Sequence, residues 1–180
     1  MDILGIDPGP EKSGVVAYRT TGPALMTSSR GPYLTGHYSN DCLRYSLDGH
    51  AWCCVAIEWP VSYGKPVGDS VFHTCRWAGR FEEAAKHHER LLLIPAPQVG
   101  HVLCGSRNAK RGQIRRVVLD QFAQTGGGSV PEIGTKAKPG PLYAIRALGT
   151  AGGSDHVWSA LAVAVAAAKM LEDERQETAT

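Results

Sequence analysis

Two apolar runs in this chain end in a carboxylate. The first, "DILGID", closes on Asp7 and is followed at once by Pro8-Gly9-Pro10. The second, "WCCVAIE", closes on Glu58 and is followed by Trp59-Pro60. A charge at the end of a buried strand is costly unless something pairs with it, so these two ends constrain both the fold and its use. Runs this short and this apolar predict strands at Asp2 to Asp7 and at Trp52 to Glu58, the second central in a sheet. Turn residues from Pro8 to Ser13 and the apolar segment Gly14 to Tyr18 predict a hairpin partner for the first.

The remaining pattern alternates helices and strands. Gly22 to Tyr38 is read as a third strand despite its Gly and Pro content, and Asn40 to Leu47 as a short helix. Asp69 to His88 carries an N-cap candidate and no Pro, so it reads as a helix. Leu91 to Ile94 reads as a buried strand closed by "PAPQ". Ile114, Val117, Val118 and Phe122 give helical spacing over Arg111 to Phe122. Gln124 to Pro141 is rich in Gly, Pro and Lys and reads as a mobile loop. Asp155 to Glu174 is the clearest helix, starting after Gly152-Gly153-Ser154. Trp77 and Trp158 fall on helices and read as core. A hairpin followed by alternating strands and helices indicates an α/β layer fold with a mixed sheet. At 180 residues, 43% hydrophobic and 20% charged, one domain over residues 1–172 is expected, with an acidic, disordered tail over 173–180.

The five cysteines (Cys42, Cys53, Cys54, Cys75 and Cys104) form no C-x-x-C pair. They read as reduced thiols in a cytoplasmic setting. Asp2 and Asp7 interrupt any secretory core. The longest apolar run, Val157 to Met170, contains Ser159 and Lys169 and is too short to span a bilayer, so no membrane partner is expected.

A third acid, Asp155, stands at the first turn of the last helix. Each acid has a plain structural alternative: an Asx-type turn at Asp7, a salt-bridged strand end at Glu58, a favourable helix-dipole position at Asp155. Taken together they suggest convergence, because strand ends and a helix packed across them can meet at one spot. Clustered carboxylates repel one another unless a cation neutralises them. Hard ions such as Mg²⁺ take oxygen ligands, and such a site suits phosphodiester hydrolysis. From Arg107 to Arg116 there are five Arg or Lys and no acid, which suits a polyanion or, alternatively, a solvated helix face. Lys110, Arg111, Arg115 and Arg116 are candidate phosphate contacts; Lys136 and Lys138 are weaker ones. Arg115 and Arg116, adjacent on a helix, point in different directions.

"GIDPG" with a glycine five residues on, "VAIEWP" and "DHVWSALAVAVA" resemble, in order, the three acidic motifs of RuvC-type Holliday junction resolvases, within the ribonuclease H-like nuclease superfamily. "CGSRNAKRGQIRRVV" resembles the basic segment before the last motif. The likeness runs from about Asp2 to Met170. It implies a five-stranded mixed sheet flanked by helices and a homodimer on four-way junctions and other branched DNA. It also implies Mg²⁺ or Mn²⁺, two per site, and paired cuts leaving 5′-phosphate and 3′-hydroxyl ends. Asp7 and Glu58 carry over as catalytic metal ligands. The third motif departs from the pattern. Ser159 stands directly before "ALA", where the family usually has Asp, and His156 lies three residues earlier, where the family has Asp or His. Either Asp155 takes the ligand role, or His156 does with Asp155 assisting. An aromatic just after the second motif stacks on bases in this reading, which marks Trp59 and Tyr63; core or lid packing is the alternative for both.

Three other classes compete. An actin-like ATPase shares the first motif, but it needs two such domains and a phosphate loop that this sequence lacks. A non-cleaving junction-binding module draws support from Ser159. A ribonuclease H-like enzyme acting on RNA–DNA hybrids uses the same residue types.

Overall fold

The chain lays down β1 (Asp2–Asp7), β2 (Lys12–Arg19), β3 (Gly36–Ser39), α1 (Asn40–Leu47), β4 (Cys54–Trp59), α2 (Asp69–Ala85), β5 (Leu91–Pro95), α3 (Ala96–Cys104), α4 (Arg111–Leu119), α5 (Tyr143–Ala147) and α6 (Gly153–Thr178). The computed structural model describes residues 1–21, 35–47, 49, 51–62, 64, 66–147 and 153–179. The strands form one mixed sheet in the order β3-β2-β1-β4-β5. β1 pairs antiparallel with β2, and β2 with β3, while β1–β4 and β4–β5 are parallel.

Alternation along each strand feeds two cores. Ile3, Val16, Cys54 and Ala56 face α6, with α3 and α4 beyond it. Leu4, Ile6, Val15, Val55 and Ile57 face the opposite layer, where Leu43 and Leu47 of α1 and Phe81 and Ala85 of α2 cover them. Helix α6 is buried almost all round between Val157 and Ala167. Its alanines let it lie very close to the sheet. A Cβ added at Gly5 would stand 2.2 Å from the Ala160 carbonyl oxygen, and one at Gly14 would stand 2.2 Å from the His156 carbonyl.

The turn after β1 is tied down by a buried polar triangle. Gly9 N–H donates to Ser13 Oγ (3.2 Å), Ser13 Oγ donates to Asn40 Oδ1 (2.6 Å), and Asn40 Nδ2 donates to the Gly9 carbonyl (2.9 Å). Ser13 and Asn40 are buried, so the network fixes where the chain leaves Asp7.

Several expectations are corrected. The central strand starts at Cys54, with Trp52 buried ahead of it. The "PAPQ" segment opens a helix: Pro97 lies in the first turn of α3, where a missing N–H costs no bond. In place of a mobile loop, residues 124–142 fold on themselves. Gly127 N–H donates to the Lys138 carbonyl (2.8 Å), Leu142 N–H donates to the Glu132 carbonyl (2.8 Å), and Gln124 Nε2 donates to buried Glu132 (2.8 Å). No separate tail begins at residue 173. The helix formers Glu172 to Glu177 continue α6, and Arg90 binds Glu174 at 2.5 Å. Of the expected third strand, residues 22–34 lie outside the described residues, and Gly36–Ser39 forms β3.

Gly5→Ala is expected to cost about 3 kcal/mol or more, because its methyl group would meet backbone. Gly79→Ala, in α2 with open space around it, is expected to gain about 0.5–1 kcal/mol. Urea titrations of both variants check this, and equal midpoints would contradict the close approach of α6.

Candidate active site and basic groove

Asp7 and Glu58 each stand one residue past the Ile6–Ile57 pair, at the carboxyl ends of adjacent parallel strands. By alternation both lie on the face of Gly5 and Ala56, which α6 covers. The first turn of α6 therefore arrives over them. His156 Nδ1 lies 2.7 Å from Asp7 Oδ2. The Asp7 side chain is only 13% exposed and that of His156 39%. Ring contact adds another group: His37 of β3 stacks on His156 with centroids 5.6 Å apart and planes 4° from parallel.

Beside these groups a groove of about 510 Å³ runs between α4 and α6. Glu58, Asp155 and Ser159 line one part of it, and Arg111, Arg115 and Trp158 another, over a floor that includes Val99 and Val118. Trp158 packs against the core and also faces the groove. It is half-buried on the groove wall, with the Arg115 guanidinium 4.3 Å above its ring centroid. Trp77 is also only half-buried, packed on the α2 side under Arg80.

The electrostatics follow from burial and mutual approach. Burial raises Glu58 to about 7; Asp7 pushes the same way, and Arg111 and His156 oppose it. His156 is raised by its hydrogen bond to Asp7, against a smaller effect of burial. His37 is lowered by burial and by facing His156. Asp7 and Glu58 are thus two oxygen donors short of positive charge, which is the donor chemistry a hard divalent ion takes. Asp155 is exposed at the groove mouth and offers a third. Among the described residues no three His, Cys, Asp or Glu side chains are gathered closely enough to hold a metal ion.

The remaining sequence candidates separate. Arg111 and Arg115, four residues apart, share the groove face of α4. Arg116 turns away and pairs with Asp120 at 3.1 Å. Lys110 precedes α4, its backbone N–H donating to Gln113 Oε1 at 2.8 Å. Lys136 and Lys138 are exposed on the folded 124–142 segment, and Trp59 is half-buried at the end of β4. Tyr63 lies outside the described residues. Sequence reasoning missed His37, Ser13, Asn40 and the groove role of Trp158. Only Trp158 carried a usable signal, three residues after Asp155 on a helix.

These features define a ribonuclease H-like sheet with its carboxylates at the strand ends under the last helix. The structure of Thermus thermophilus RuvC superposes with a TM-score of 0.56 at 20% identity, covering 97% of this chain and 97% of that one. The T. thermophilus RuvC structure in complex with a Holliday junction substrate gives 0.56 at 18% identity, covering 95% and 94%. The fold is therefore that of RuvC. No protein-family model matches the chain, and no curated protein matches it. Among the described residues no helix is long and apolar enough to cross a membrane.

Two groups tie stability to pH with the same sign. Folded Glu58 keeps its proton to about 7, whereas its ordinary value is 4.5. Between these values the folded state binds more protons, so stability falls as pH rises through that window. The contribution of His156 is likewise present below its ordinary value of 6.5 and is lost as pH rises through its raised one. His37 acts in the opposite sense, its lowered value disfavouring the folded state at acid pH. In EDTA, Glu58→Gln is expected to gain about 2–3 kcal/mol over the wild-type protein at pH 7.5 relative to pH 5, which is several degrees in Tm. Calorimetry at the two pH values checks this; parallel Tm changes in the two proteins would remove Glu58 as the titrating group.

Proposed function

We propose that this protein is a metal-dependent endonuclease that cuts branched DNA, four-way junctions above all. It acts as a homodimer, leaving 5′-phosphate and 3′-hydroxyl ends. The observation that carries this reading is that Asp7, paired with His156, and Glu58 end adjacent parallel strands beside a groove that Glu58, Arg111 and Arg115 line. It occurs in a fold shared with a protein solved on a Holliday junction substrate. When bound, a divalent ion, Mg²⁺ or Mn²⁺, would activate water and stabilise the leaving oxygen. Asp7, Glu58 and Asp155 would hold it. His156 orients Asp7 and is placed to accept a proton near neutral pH. Arg111 and Arg115 grip the phosphate backbone, with Lys110, Arg116, Lys136 and Lys138 extending the basic surface. Trp59 and Tyr63 supply stacking faces for unpaired bases at the branch, worth roughly 1–3 kcal/mol per base. A junction presents two equivalent strands, which a two-fold dimer matches.

A second reading, a junction-binding module that does not cut, is favoured by Ser159 and by the absence of a three-donor cluster among the described residues. Four substrates decide between them: a four-way junction, a flap, a duplex and an RNA–DNA hybrid, each with Mg²⁺ and with EDTA. The nuclease reading expects Mg²⁺-dependent cleavage greatest on the junction, abolished by Asp7→Asn while junction affinity stays within about twofold. Tight binding without cleavage in either ion would establish the second reading.

The groove makes a separate prediction. Arg111→Ala and Arg115→Ala are each expected to lower the salt slope of junction binding by about one, whereas Arg116→Ala, already paired with Asp120, changes it less. Equal slopes in all three variants, measured by fluorescence anisotropy, would make the groove face merely solvated.

A further inference from the structure

We propose that His37 is a positioning residue that clamps the imidazole of His156 in the plane that meets Asp7. The inference deepens the nuclease reading and rests on it for its catalytic consequence, but the clamp itself is a geometric feature of the fold. His37 lies directly opposite Gly14 across the β2–β3 ladder. Gly14 has no side chain, and a Cβ there would stand 2.2 Å from the backbone of His156. The first turn of α6 therefore sits on the bare backbone of β2, and the neighbouring strand supplies the side chain that reaches over. The two rings lie 4° from parallel with centroids 5.6 Å apart, within the range of an offset stack.

Three sides of the His156 ring are accounted for. One edge meets Asp7 through Nδ1 at 2.7 Å, one face meets His37, and the Cε1 rim lies over Gly9, where an added Cβ would stand 3.8 Å away. A histidine χ2 torsion is soft and has no sharp minimum of its own. Without a ring against its face, His156 is free to swing off Asp7 while the helix stays in place. The ring contact of His37 is with His156, and His37 is not part of the groove lining given above, so its positioning effect on Asp7 runs through His156.

The test compares the wild-type protein with His37→Ala and His37→Phe, all with ¹⁵N-labelled histidine and without added metal, at one pH. His37→Phe keeps an aromatic face and loses the ring nitrogens. The wild-type protein and His37→Phe are expected to show shielded His156 ring protons and a protected Nδ1–H signal; His37→Ala is expected to lose both. In junction cleavage, kcat is expected to drop roughly three- to tenfold in His37→Ala with KM unchanged, and His37→Phe to recover most of it. An unchanged His156 Nδ1–H in His37→Ala would overturn the clamp, as would a His37→Phe protein as defective as His37→Ala. A wild-type protein that cuts nothing would sink the nuclease reading instead, and the imidazole signals would still decide the clamp.

Discussion

The site depends on how closely α6 can approach the sheet. A helix packed on strands through ordinary side chains stands a full side-chain layer away, and its first turn would pass above the strand ends. Here Gly5 and Gly14 remove the intervening side chains, and small residues along α6, Ala160 and Ala164 among them, fill the space left. Backbone then meets backbone, and His156 comes within hydrogen-bond distance of a carboxylate 149 residues away in sequence. The buried Ser13–Asn40–Gly9 triangle does the complementary work below, fixing the exit of β1 so that Asp7 does not drift from that contact.

The elements legible in the sequence were those whose pattern is local. Apolar runs ending in acids marked β1 and β4, and four apolar residues at helical spacing marked α4, because strand and helix periods show over a few residues. α3 was hidden because Pro97 breaks a helix in its interior but is tolerated in its first turn. The 124–142 segment was hidden because its order comes from backbone hydrogen bonds closed through glycines, two of them (Gly128 and Gly134) at positive φ. Composition alone cannot separate such a segment from a mobile one. Asp7, Glu58, Asp155 and His156 were legible as candidates, but their arrangement was not. Nothing in "GGSDHVWSALA" says which of Asp155 and His156 turns to Asp7, and no local signal links His37 to either. That link depends on the β2–β3 register, which is a long-range property.

The acids also show how two carboxylates are accommodated at neighbouring strand ends. Two carboxylates at neighbouring strand ends would destabilise the sheet if both were ionised and unpartnered. One, Asp7, is neutralised in part by His156. The other, Glu58, has its proton held by burial and by Asp7 itself. Burial first, and then repulsion from Asp7, raise Glu58, and an added divalent ion would offset both. Ser159 lessens that repulsion, since a fourth carboxylate on the groove would have added to it.

The groove divides its charge between two helices, and helix geometry explains the division. On α6, Asp155 and Ser159 are four residues apart and Trp158 is three from Asp155, so all three fall on one side and face the cavity. On α4, the same spacing places Arg111 and Arg115 toward it and leaves Arg116, one residue further, to pair with Asp120 on the outer side. The Arg115–Trp158 stack joins the two walls. A guanidinium lying on an indole keeps its hydrogen-bond donors free at the plate edge. Arg115 is therefore held in place without using up the donors that a phosphate would need. A lysine there could neither stack as a plate nor present the same fork, so it is the planarity of this arginine, beyond its charge, that lets a single residue both close the groove wall and keep its donors free toward the groove.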